Sequence, residues 1–142
     1  ERRASRLSFR SACAMFGSAI AAMKQAAFDH LKGPKEGAED RFLAAHTSAR
    51  SSYELIRLSS NSVEAQEAAR FAIRYALGFW RTASGHQPRE DEAKRGPLVE
   101  LEDKMTELYR AVRAELGMRK GVFSEPVDLL PSSEEDESDS AT

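Results

Sequence analysis

Apolar residues in the first thirty positions recur at intervals of three or four. They lie at Phe9, Cys13, Phe16, Ile20, Met23, Ala27 and Leu31. Because an α-helix makes one turn every 3.6 residues, this spacing places all of them on one face of a single helix. Gly17 interrupts the helix at a cost of about 1 kcal/mol relative to Ala. A helix this long with one apolar face needs other segments to cover it.

Three later segments show the same periodicity. The second predicted helix runs from about Glu36 to Leu58, with Leu43 and Leu55 among the residues that widen its apolar face. The polar break at 59–62 is too short for anything except two neighbouring antiparallel helices. Leu58, the last residue before this break, also belongs to the widened apolar face of the second helix.

The third predicted helix begins after Asn61 or Ser62 and extends to about Ala83, with Asn61 and Glu64 forming a loose capping box. The fourth begins at Pro97, because proline suits the first turn of a helix, and ends near 116–120. Either Gly117 or Gly121 is expected to be its C-terminal cap. The sequence therefore predicts an all-α, antiparallel up-down four-helix bundle over residues 1–120.

Charge divides the chain into two parts. Residues 121–142 hold seven Asp and Glu and no Lys or Arg, whereas residues 1–120 hold 21 basic and 16 acidic residues, a net charge of +5. An acidic segment with so few apolar residues cannot offset the entropy cost of ordering, so residues 121–142 are predicted to be a disordered tail. A charge of +5 distributed over four helices is too diffuse to indicate nucleic-acid binding.

The residues that could bind a metal are few and scattered: Cys13, His30, His46 and His86. A di-iron helical bundle uses Glu-x-x-His pairs, and none of these histidines has Glu three positions earlier. We therefore expect no metal and no cofactor. Cys13 is expected to be a small buried apolar residue, and His46 to face the core and form a hydrogen bond with Tyr53 or a nearby hydroxyl.

The third helix carries large aromatic residues on more than one face. A helix of this kind either lies centrally in a bundle or presents apolar surface to a partner. Large aromatic residues contribute strongly to interfaces, so the leading hypothesis is a non-enzymatic interaction or scaffold module, with a protein partner or self-association. The predicted partner-binding residues are Phe71, Tyr75, Phe79 and Trp80.

Two alternatives to this hypothesis follow from short motifs. Arg41 and His46, five residues apart, resemble the Arg-x4–6-His motif of the HEPN ribonucleases, in which the two residues act together on an RNA phosphodiester. Arg81 and His86 have the same spacing. In the tail, residues 127–130 followed by acidic residues resemble a SUMO-interacting motif, which would make residues 122–130 a partner-binding segment.

A basic start, with Arg2, Arg3 and Arg6, leads into the long first helix, and the last helix ends with the segment 109–117. Together these features resemble the cytoplasmic part of small uncharacterised actinobacterial proteins that carry an N-terminal membrane anchor. The resemblance covers about a third of the chain and implies a cytoplasmic location at the inner face of a membrane. The tether would lie upstream of Glu1, and the arginines would be its cytoplasmic flank. The family adds no chemistry.

Overall fold

The computed structural model describes residues 2–33, 36–92 and 94–120. They form four α-helices and one short 3-10 turn, with no β-strand in this part of the chain. The helices are α1 (Arg2–Lys32), α2 (Ala38–Ser59), α3 (Val63–Ala83) and α4 (Pro97–Lys120), and the 3-10 turn is Glu90–Glu92. The prediction of an all-helical protein is confirmed. The predicted disordered tail, residues 121–142, lies outside the described residues.

One apolar core holds the four helices together. Helix α1 packs mainly along α2, and α3 packs mainly along α4, while α1 also contacts α3 and α4. The predicted stripe of α1 supplies much of this core, because Phe9, Phe16 and Met23 have no exposed surface. Burying a side chain of this size contributes about 2 kcal/mol, so the periodic spacing of α1 accounts for a large part of the stability.

Alanines at helix contacts allow close packing between α1 and α2. Ala19 and Ala26 of α1 and Ala45 and Ala49 of α2 are buried in the core. Gly17 has a comparable role against α4, because a Cβ at this position would lie 3.0 Å from the Tyr109 hydroxyl oxygen. The glycine that seemed only tolerable in the sequence therefore makes room for a tyrosine side chain.

Several predicted details of the helices are wrong. Leu31 and the leucines expected to widen the buried face of α2 are exposed, with exposed fractions of 51% for Leu43, 42% for Leu55 and 82% for Leu58. Leu31 lies in the last turn of α1, and the three leucines of α2 lie on its solvent-exposed side. Helix α2 begins at Ala38 rather than Glu36, after Gly37 in the left-handed region at φ 84°.

Of the two residues predicted to precede α3, the structure selects Ser62 as the cap, and of the two glycines predicted to cap α4 it excludes Gly117. Ser62 caps α3 by accepting a hydrogen bond from the backbone N–H of Ala65 at 3.0 Å. Asn61 lies one residue further out because its own N–H donates to Glu115. Helix α4 continues through Gly117 to Lys120, so Gly117 is an interior residue and not a cap; Gly121 lies outside the described residues.

The connection between α2 and α3 is fixed by a buried glutamate from α4. The Glu115 carboxylate accepts hydrogen bonds from the Ser60 hydroxyl at 2.6 Å and from the Asn61 N–H at 2.9 Å. Ser60 and Glu115 are both buried. A charged acceptor with two donors offsets part of the cost of burying it, and the contact joins the start of α3 to a residue near the end of α4.

The connection between α3 and α4 is fixed by a second buried glutamate. Glu92, in the 3-10 turn, has no exposed surface and accepts from the Arg81 guanidinium at 3.0 Å and from the Arg89 N–H at 3.1 Å. Its carboxylate lies over Gly78, where an added Cβ would approach Glu92 Oε2 to 2.5 Å. The missing side chain at Gly78 therefore provides the space that the carboxylate occupies.

Candidate functional site

The four aromatic residues predicted to bind a partner all make contacts within the chain. Tyr75 and Phe79 are buried, each with 7% of its surface exposed. Trp80 is half-buried, and its ring stacks on Phe42 at a centroid distance of 4.4 Å and on His30 at 4.6 Å. Trp80 therefore joins the end of α1, the start of α2 and the end of α3.

Phe71 is the remaining member of this set, and two cations contact its ring. The Arg70 guanidinium carbon lies 4.5 Å from the ring centroid and the Lys104 ammonium nitrogen lies 5.4 Å from it. Such contacts contribute about 0.5–1 kcal/mol each at exposed sites. All four rings thus pack within the bundle, and the binding of a partner through them stays a prediction.

Arg41 and His46 lie on different sides of α2. Arg41 donates to the Asp29 carboxylate at 3.3 Å and lines a groove between α1 and α2. His46 lines a separate groove between α2 and α3 and stacks on Phe42. Residues five apart on a helix are separated by about 140°, so the structure does not bring this pair together. The ribonuclease hypothesis stays a prediction.

His46 is half-buried, and within the described part of the chain it does not form the expected hydrogen bond with Tyr53. Burial lowers the pKa of His46 below its usual value of 6.5, and the nearby Arg50 guanidinium lowers this pKa further. Both effects disfavour the charged imidazole. His46 is therefore held toward its neutral form by the apolar ring beneath it and the cation beside it.

The described ranges contain neither a metal site nor a helix that could cross a membrane. Within residues 2–33, 36–92 and 94–120, no group of three or more His, Cys, Asp or Glu side chains is close enough to hold a metal ion. None of the four helices, as far as they are described, combines the length and hydropathy that a bilayer crossing requires. Cys13 is buried against the core, as the sequence predicted.

Comparison with known proteins adds no family to this picture. Neither protein-family models nor curated proteins nor solved structures gave a match to the chain.

The groove between α1 and α2 opens onto an exposed surface with small, uncharged side chains. We call this surface the α1–α2 face, and it consists of the exposed uncharged groove residues Ala14, Met15, Ser18, Ala22, Ala44, Thr47, Ser48 and Ser51. Met15 is 50% exposed and is the largest apolar side chain of the face. Of the described residues that line the groove, Arg41 carries the only charge, and it is paired with Asp29.

The distribution of charge along the sequence, as distinct from its apolar periodicity, indicates this face. Residues 11–23 contain no charged residue, although 31% of the chain is charged. The solvent side of an ordinary surface helix is rich in charge. On α1 the exposed residues of this stretch are all Ala or Ser except Met15. The exposed residues that α2 contributes to this face are likewise Ala or Ser except Thr47. An uncharged outer face therefore distinguishes this helix pair.

Proposed function

We propose that the protein is a non-enzymatic helical interaction module that associates with a second copy of itself through the α1–α2 face. The observation that carries this proposal is the lack of charge on a broad exposed surface. Interface centres are depleted in charged residues relative to the rest of a protein surface. Leu55, one turn beyond Ser51 and 42% exposed, extends the apolar part of the same side of α2.

A second copy is the occupant that this chemistry favours. In a two-fold dimer each patch meets the same patch of the partner, so a charge near the axis would face its own copy. Like charges brought together in this way destabilise a complex. The α1–α2 face avoids that repulsion, and its Ala and Ser residues allow the helices of two copies to approach closely.

The size of the face indicates weak association. The uncharged residues 11–23 of α1 extend about 20 Å at 1.5 Å per residue, and two adjacent helices are about 20 Å wide. Two such faces together bury on the order of 1,000 Å², which is the range of weak and transient complexes. Membrane tethering, which the family resemblance implies, would raise the local concentration of copies and favour such a dimer.

Analytical ultracentrifugation from about 10 μM to about 1 mM tests the proposal, because a Kd of 1 mM to 1 μM corresponds to about −4 to −8 kcal/mol. We expect a concentration-dependent dimer for the natural sequence and a monomer for Ala14→Glu, which places a charge in the face. Ala114→Glu is the matched control, since Ala114 is exposed on α4. A chain that is monomeric at every concentration would contradict the proposal.

We also propose the up-down order of helices that the sequence predicted. Three contacts support it: Asp29 near the end of α1 with Arg41 near the start of α2, Glu115 with the turn before α3, and Lys24 with Glu102 at 2.7 Å. The last contact pairs the later part of α1 with the early part of α4. Each contact joins the end of one helix to the start of another, as neighbouring helices of opposite direction require.

A further inference from the structure

A second groove, between α2 and α3, differs from the α1–α2 face in its charge. Its lining includes two exposed arginines, Arg50 and Arg70, together with Tyr53. The half-buried Ile73 and Leu77 supply apolar surface and pack against the core. We call this the α2–α3 groove. It combines cations with apolar and aromatic surface, which suits an anionic chain segment more than a small neutral molecule.

Neither arginine of the groove is neutralised within the described residues. No carboxylate lies within 4.0 Å of the guanidinium of Arg50 or Arg70, although Arg41, Arg57 and Arg81 are all paired. The acid in the groove lining, Glu54, binds Arg57 at 2.8 Å. The positive field of Arg50 is also felt by His46, whose pKa it lowers in addition to the effect of burial.

We propose that the α2–α3 groove binds the acidic segment of the same chain, residues 134–139. This segment has the sequence Glu-Glu-Asp-Glu-Ser-Asp, so five of its six residues are acidic. Carboxylates match guanidinium groups in charge and in hydrogen-bonding geometry. Among the described residues the groove has two arginines without an ion pair, and the sequence of residues 134–139 has five acids and no basic residue.

The length of the chain allows this contact. Helix α4 ends at Lys120, five residues beyond Glu115, which binds the turn between α2 and α3. Arg50 lies ten residues before Ser60, so it is roughly 15 Å along α2 from that turn. Residues 121–133 span up to about 43 Å when extended. The acidic segment can therefore reach Arg50 and Arg70 without any change in the helices.

A contact held by exposed charges is weak and sensitive to salt. The Debye length falls from about 10 Å at 0.1 M salt to about 3 Å at 1 M. The segment would therefore leave the groove at high salt or when a more strongly anionic ligand competes for it. The acidic segment would act as an intramolecular competitor that excludes unrelated anions from the groove.

Paramagnetic relaxation in the full chain tests this proposal. A nitroxide attached through Ser138→Cys keeps all the acids of the segment, and the native Cys13 is 1% exposed, so it is protected from the label. We expect strong broadening of the amide signals of residues 46–54 and 70–77. Signals of residues 14–22, on the α1–α2 face, should keep their intensity. We also expect the broadening to disappear at about 1 M salt.

Charge reversal identifies the groove as the partner. Arg50→Glu with Arg70→Glu should abolish the broadening, whereas Lys32→Glu with Arg110→Glu, at exposed positions of α1 and α4, should preserve it. A variant with Gln or Asn at positions 134–137 leaves the sequence of residues 2–120 unchanged and should also lose the broadening. Broadening that is equal on all faces, or that survives reversal at Arg50 and Arg70, would overturn the proposal. Absent broadening, with an added single-stranded oligonucleotide shifting the groove signals instead, would also overturn it.

Discussion

The two connections flanking α3 are each fixed by one buried glutamate. One of these glutamates belongs to a distant helix, and the other belongs to the connection itself. In the α2–α3 turn the carboxylate belongs to α4, 54 and 55 residues away from the groups that it binds. In the α3–α4 linker Glu92 belongs to the linker itself and binds Arg81 on the preceding helix. A short turn receives its acceptor from a distant helix, while a long linker attaches itself to the helix that it follows.

This difference shows how a buried charge can specify a connection. The turn has donors, the Ser60 hydroxyl and the Asn61 N–H, that need an acceptor, and only the folded bundle supplies Glu115. The linker has an acceptor, Glu92, that needs a cation and enough space. Helix α3 supplies the cation with Arg81, and it supplies the space because Gly78 has no side chain. Losing the first contact leaves donors unpaired, and losing the second removes the ion pair that joins the 3-10 turn to α3.

The largest effect is expected for Glu92→Ala. It removes both hydrogen bonds to the buried carboxylate and leaves Arg81, with 26% of its side chain exposed, without its partner. We expect the free energy of unfolding to fall by about 3 kcal/mol. Urea denaturation followed by circular dichroism measures it. Glu90→Ala, exposed in the same 3-10 turn, is the control and should change stability by less than about 0.5 kcal/mol.

A somewhat smaller loss, about 2 kcal/mol, is expected for Glu115→Ala. The Ser60 hydroxyl and the Asn61 N–H would lose a charged acceptor, and the turn between α2 and α3 would exchange its amide protons faster. Hydrogen exchange at residues 60–66 measures the local effect, and urea denaturation measures the global one. Equal stability of Glu115→Ala and the exposed control Glu67→Ala would show that this glutamate does not fix the turn.

The third prediction is that Gly78→Ala changes the free energy of unfolding in opposite directions with and without the Glu92 carboxylate. In the natural protein Gly78→Ala should cost about 2 kcal/mol, because the new methyl would lie within 2.9 Å of three carboxyl atoms of Glu92. In the Glu92→Ala background the same change should stabilise the protein by up to about 1 kcal/mol, since alanine favours the helix more than glycine does. A double-mutant cycle measures this coupling. Additive effects would contradict the idea that Gly78 exists to accommodate the carboxylate.

The extent of the helices could be predicted from the sequence, because the pattern of apolar residues is local. The ends of α1 and α3 and the start of α4 at Pro97 follow from that pattern and from glycine, proline and small polar residues. The caps were less predictable. Asn61 and Ser62 are equally good caps in isolation, and the choice of Ser62 follows from the contact that Asn61 makes with Glu115.

The candidate surfaces could be predicted only in part. The uncharged stretch 11–23 is visible in the sequence, whereas its groove requires α2 beside it with Ser48 and Ser51 facing outward. The aromatic residues of α3 were predicted as interface residues because size and hydrophobicity do not distinguish a core from an interface. Their contacts with Phe42, His30 and Lys104 appear only in the folded chain.

By itself, the sequence determined that this chain forms four helices that cover one another, because a repeat of three and four residues leaves each helix with a face that water disfavours. It also determined the separation of charge between the body and residues 121–142. Only the tertiary structure decided which charges meet. Glu92 and Glu115 resemble any other surface acid in the sequence, and their burial depends on donors that packing brings from other segments. The energy between two charges depends on their separation in space and on the local dielectric constant, and both are set by how the helices pack.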